Sequence, residues 1–89
     1  MEYYITHVRY KEGERKYIKD VKLSDGSSLS KFDVIMRIGL GNVFRPKYSE
    51  NGQSKIGEIV RIVRGNSMNY IRSGPDDKEE DDLGELPEF

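Results

Sequence analysis

The sequence contains no cysteine, one histidine, three prolines and no long apolar run. Without cysteine there is no disulfide framework, no thiolate metal site and no Cys nucleophile. No stretch approaches the ~20 apolar residues of a membrane helix, and the opening residues lack the pattern of a signal peptide. A cytoplasmic protein with no membrane association is expected. Catalytic patterns are equally scarce. There is no G-x-S-x-G and no H-E-x-x-H, and Gly39-Leu40-Gly41-Asn42-Val43-Phe44 lacks the third glycine of a dinucleotide fingerprint and closes a helix instead of opening one. His7 has no neighbour at metal-ligand spacing and is expected as a surface or half-buried strand residue. The acidic run lacks the Asp-x-Asp-x-Asp-Gly spacing of a calcium loop, so no metal and no cofactor is expected. These gaps argue against an enzyme.

What is present is charge, unevenly placed. Over 89 residues the formal net charge is −1. Residues 1–73 hold 14 Lys+Arg against 8 Asp+Glu, which is +6, whereas residues 74–89 hold one Lys against 8 acids, which is −7. A chain this short forms one domain at most and buries ~60–65% of its unfolded surface. The expected division is a compact domain over 1–73 and an acidic C-terminal tail over 74–89. Either the tail only solubilises, or it competes with an anionic ligand for the basic body.

Hydrophobic periodicity outlines the body. Glu2 to Lys11 alternates as a strand, with Tyr4, Thr6, Val8 and Tyr10 on one face and Tyr3, Ile5, His7 and Arg9 on the other. Lys16 to Leu23 reads as its hairpin partner, with Tyr17, Val21 and Leu23 sharing a face. Ser30 is an N-cap, with Asp33 three residues on. Phe32, Ile35, Met36, Gly39 and Leu40 fit the stripe of a buried helix face, and Gly41-Asn42 offers a left-handed stop. Val43 to Tyr48 contains Pro46, which points to an edge strand. Asn51-Gly52 is a turn, Ile56 to Arg64 reads as a central strand, and Met68 to Arg72 as the last one. The order β-β-α-β-β-β predicts an α+β domain: an antiparallel sheet of four to five strands with one helix packed on one face.

The acidic run Asp76 to Asp82 cannot bury a core and is expected to be solvated and mobile. Beyond it Leu83, Leu86 and Phe89 recur every third position, with Pro87 between. Apolar anchors at this spacing can dock into a groove on the chain's own body or on a partner.

The two ends of the chain carry a family resemblance. The opening Tyr4-Ile5-Thr6-His7-Val8-Arg9-Tyr10, and Tyr70-Ile71-Arg72-Ser73-Gly74-Pro75-Asp76 with Asp82-Leu83-Gly84-Glu85-Leu86-Pro87-Glu88-Phe89, resemble a family of small bacterial and phage proteins grouped as a domain of unknown function. The Leu-Gly-x-Leu-Pro-x-Phe pattern is the most specific part. An Asn soon after Pro75 and an aromatic ahead of the Gly57 strand would complete the family pattern, and this chain has neither. The resemblance implies bacterial or phage origin and a tail that belongs to the module. It implies no activity, cofactor or catalytic residue.

Two binding readings follow. The first is a small protein-interaction or inhibitor module from a bacterium, phage or mobile element, with an anti-defence role conceivable and with Leu83, Leu86, Pro87 and Phe89 as docking residues. The alternative is nucleic-acid or nucleotide binding, including sequestration of a nucleotide signal, through a sheet rich in Tyr and Arg. There Arg9, Arg61, Arg64, Tyr70 and Arg72 are the anion candidates, alongside Tyr3, Tyr4, Tyr10, Arg15, Lys16 and Tyr17. Homodimerisation through a free sheet edge or a Tyr-bearing face is a further expectation.

Overall fold

In a computed structural model of the chain, the backbone is described for all 89 residues and the side chains for all but Arg15 and Lys16. Seven strands and one helix follow in the order β1 (Glu2–Lys11), β2 (Glu14–Leu23), β3 (Ser28–Ser30), α1 (Lys31–Gly39), β4 (Val43–Glu50), β5 (Gln53–Ile56), β6 (Val60–Arg64) and β7 (Asn69–Ser73). Strands β3-β2-β1-β4-β5 form one sheet and β6-β7 a separate two-stranded ribbon. The fold is α+β with one helix, as the sequence predicts.

The large sheet is mixed, not antiparallel throughout. β1 runs antiparallel to β2 but parallel to β4, with Glu2 opposite Val43 and Ile5 opposite Pro46. The reversal arises because β2, β3 and α1 together form the crossover that returns the chain along the other side of β1. Pro46 therefore lies in an interior strand and not at an edge. It stands at the last β1–β4 pair, where a residue without an N–H costs the ladder least. Its carbonyl accepts the Gly57 N–H at 2.8 Å. A side chain at position 57 would meet the Pro46 ring at 2.7 Å, so the chain breaks there between β5 and β6. The single central strand expected over Ile56 to Arg64 is thus two strands in two sheets.

Strict alternation also fails in β1. Ile5 and Val8 would face opposite sides, yet both are fully buried in one core. A register shift between Ile5 and His7 accounts for this, since a bulge moves every later side chain to the other face. In β2 the core positions are Ile18, Val21 and Leu23, and Tyr17 is left half-buried. Phe44 from β4, Val60 from β6 and Ile71 from β7 complete the body's share of the core.

The helix begins where Ser30 Oγ accepts the Asp33 N–H at 3.1 Å, and Gly41 takes the left-handed stop at φ +95°. Its face differs from expectation. Val34 is fully buried, with Ile35 and Ile38 packed beside it, whereas Phe32, Met36 and Leu40 point to solvent. Apolar residues occur all round this helix, so two stripes at helical spacing competed and periodicity alone could not choose between them.

The segment after Gly74 completes the fold. The Asp82 N–H donates to the Ile71 carbonyl at 3.0 Å, and the Ser73 N–H to the Asp82 carbonyl at 3.0 Å, extending β7. Further on, the Val8 N–H donates to the Pro87 carbonyl at 2.9 Å and the Phe89 N–H to the Val8 carbonyl at 3.2 Å, alongside the part of β1 that β4 no longer covers. Between these attachments Leu83 and Leu86 enter the core, 2% and 8% exposed. The segment ties the two sheets together.

Candidate functional site

The five anion candidates are not one surface. Three of the arginines hold groups of the 74–89 segment. Arg61 donates to the Gly74 carbonyl at 2.8 Å, the Asp76 carbonyl at 2.8 Å and Asp77 Oδ1 at 2.9 Å. Arg72 is 4% exposed, donates to the Glu80 carbonyl at 2.8 Å and lies 3.6 Å from Asp82 and 3.8 Å from Asp76. Arg9 donates to the Phe89 carbonyl at 3.1 Å and sits 4.3 Å over the Phe89 ring, with Asp20 at 3.5 Å. Tyr70 is buried beneath Tyr17, their rings 6.1 Å apart and inclined by 26°. Burial, foremost, raises its hydroxyl pKa above the ordinary value. Arg64 alone of the five is exposed and without an ion pair among the described residues. Arg15 and Lys16, drawn into the same expectation, lie outside the described side chains.

The docking residues have architectural positions. Leu83 and Leu86 fill the core, the Pro87 carbonyl closes on β1, and the Phe89 ring stands between Arg9 and His7, edge-on to the imidazole at 6.4 Å. Gly84 has φ +83°, and a Cβ there would collide with the Tyr48 hydroxyl, which donates to the Leu83 carbonyl at 2.6 Å. Burial drives the Tyr48 pKa upward and keeps it a neutral donor. Each defined position of the Leu-Gly-x-Leu-Pro-x-Phe pattern thereby has a structural duty.

The acidic run, expected to be mobile, contributes the most buried carboxylate. The Asp81 side chain is 0% exposed. Its Oδ2 accepts the Ile18 N–H at 2.7 Å and Lys31 Nζ at 2.9 Å, and its Oδ1 accepts the Ile71 N–H at 2.8 Å. One side chain links β2, β7 and the start of α1. Beside it Glu80, Asp82 and Glu85 line an open cleft of about 560 Å³, with Tyr10, Gly84 and Leu86. Among the described residues no group of three carboxylates or His is placed to hold a metal ion, and no helix is long and apolar enough to cross a membrane.

Two surfaces that the sequence reading did not single out remain open. One is the outer face of α1 with its C-cap residue Leu40, where Phe32, Met36 and Leu40 are 68%, 51% and 79% exposed. The other is a cleft of about 470 Å³ where the β1–β2 hairpin, the first turn of α1 and the β6–β7 turn meet. Lys11, Glu14, Tyr17, Lys19, Lys31 and Met68 line it, over Ile18. The signal for the cleft was present as Tyr17 among cations, but Lys31 and Met68 join it only through the fold.

These features define a small α+β domain that carries its own closing strap. The chain belongs to the family described as protein of unknown function (DUF3892), whose model matches residues 4–87. No curated protein and no solved structure matches it.

Proposed function

We propose that this domain is a non-enzymatic protein-binding module of the cytoplasm whose contact surface is the outer face of α1. The observation that carries the reading is the exposed Phe32, Met36 and Leu40 stripe on a helix whose other side is packed in the core. Exposed apolar side chains gathered on one short helix exceed the scatter of single hydrophobics normal on a soluble surface. A helix carrying anchors at i, i+4 and i+8 suits an apolar groove on another protein. The 83–89 segment is not the contact in this reading, because its leucines are already in the core. An inhibitor from a phage or mobile element, occupying a groove of a host component in an anti-defence role, fits the same surface. Nucleic-acid binding across the arginine-rich sheet has less support, since Arg9, Arg61 and Arg72 already hold groups of the strap.

A photo-crosslinking residue placed at Met36 tests the reading in cells. The expected result is one dominant protein adduct. Its affinity for the purified chain falls by about a hundredfold, or about 2.7 kcal/mol, when Phe32, Met36 and Leu40 are all changed to Ser. The same variant keeps its melting temperature within a few degrees, because these side chains lie at the surface and outside the core cluster. No adduct, or a purified pair indifferent to the triple change, would remove α1 from the function.

A further inference from the structure

We propose that the cleft lined by Lys11, Tyr17 and Lys19 binds a small molecule that joins a planar ring to a phosphate, of mononucleotide size. The site is separate from the α1 face, and neither reading rests on the other.

Three features carry it. The first is a fixed aromatic wall. Tyr17 is half-buried and backed by the buried Tyr70 ring at 6.1 Å, so it offers a stacking surface that cannot fold away. The second is charge. Lys11 and Lys19 are exposed and form no ion pair among the described residues, whereas Lys31 is committed to Asp81 at 2.9 Å. Against these two available ammonium groups the lining has one carboxylate, Glu14, so the rim attracts an anion. Tyr17 and Lys19 flank the buried Ile18 on β2 and both line the cleft, which sets a cation beside the ring. The third is size and floor. About 470 Å³ lies within the range of small-ligand clefts, and Ile18 and Met68 give it an apolar base. A ring between Tyr17 and Met68 with its phosphate at Lys11 and Lys19 leaves only Glu14 and the Asp81-bound Lys31 of the lining without a part.

Titration of the full chain at low salt, followed by amide shifts in NMR, tests this directly. The probes are nucleoside 5′-monophosphates, the corresponding nucleosides and inorganic phosphate. A monophosphate should give saturable shifts at Lys19 and Met68, with the nucleoside and inorganic phosphate each at least tenfold weaker. Combined Lys11→Ser and Lys19→Ser changes, both at exposed positions, should weaken it tenfold or more, and Lys55→Ser on the exposed β5 should not. Tyr17→Leu should cost a similar factor. The proposal is overturned if no monophosphate gives saturable shifts, or if the double lysine variant binds as the native chain does. It is overturned equally if inorganic phosphate binds as tightly as the monophosphate. An affinity seen only with single-stranded oligonucleotides would replace it with a polymer-binding surface.

Discussion

Removal of residues 75–89 should leave a chain that no longer unfolds cooperatively. The segment withdraws two core leucines, and truncating a buried leucine costs about 2–5 kcal/mol even when the backbone stays in place. Deletion also strips four backbone hydrogen bonds from β1 and β7 and opens both strands as unprotected edges. A domain of this size has roughly 4–13 kcal/mol of total stability. Losses of this order exceed or match the whole of it, although the remaining residues keep every strand and the helix. The measurement is thermal unfolding with near-ultraviolet circular dichroism. The expected trace for residues 1–74 is a shallow, non-sigmoidal change with weak aromatic signal. A truncated chain melting sigmoidally within a few degrees of the full one would show that the strap is dispensable.

The second large effect belongs to Asp81. Replacement by Asn removes the charge and one acceptor while changing little in volume. Whichever way the amide turns, its NH₂ faces either the Ile71 N–H or the Ile18 N–H and the Lys31 ammonium. Leaving a buried donor and a largely buried cation without their partner costs about 3–5 kcal/mol. For a domain this small that corresponds to a fall in melting temperature of more than about 10 °C. Asp77→Asn provides the contrast. Asp77 is 75% exposed and pairs with Arg61 at 2.9 Å, so its loss should cost less than about 1 kcal/mol. Equal effects at the two positions would mean that the acidic segment acts by charge number and not by the seat of one carboxylate.

Several elements were legible in the sequence for physical reasons that the structure retains. The Ser30 cap and the Gly41 stop bracket the helix because both depend on local chemistry. The hairpin, the Asn51-Gly52 turn and the α+β class follow from alternation and turn residues. The parallel pairing of β1 with β4 was hidden, since it is decided by a crossover, residues 12–42, that no local pattern encodes. The bulge between Ile5 and His7 was hidden as well, and it alone lets Val8 share a core with Ile5. On α1 the chain carries more apolar side chains than one face can bury, so of the expected stripe Ile35 packs against the core while Phe32, Met36 and Leu40 stay exposed.

The charge split at Gly74 was legible and its consequence was partly so. Opposite signs on body and tail suggested either a solubilising tail or one that competes with an anionic ligand for the basic body. Arg61 and Arg72 do hold acids of the tail, yet the decisive contact is made by Lys31, Ile18 and Ile71 with a single aspartate. Six acids in the seven positions from Asp76 to Asp82 carry no mark of which one will be buried, because burial is set by where Leu83 enters the core two residues after Asp81.

The central claim is that residues 82–89 are part of the fold and not an appendage. Amide hydrogen exchange at Val8 tests it most directly. The Val8 N–H points away from β2 and is bonded to the Pro87 carbonyl at 2.9 Å, so its protection depends on the strap. The account predicts that Val8 and Asp82 exchange as slowly as the interior amides of the β1–β2 pair. Exchange of both near the unprotected rate, with the rest of β1 and β2 protected, would contradict it.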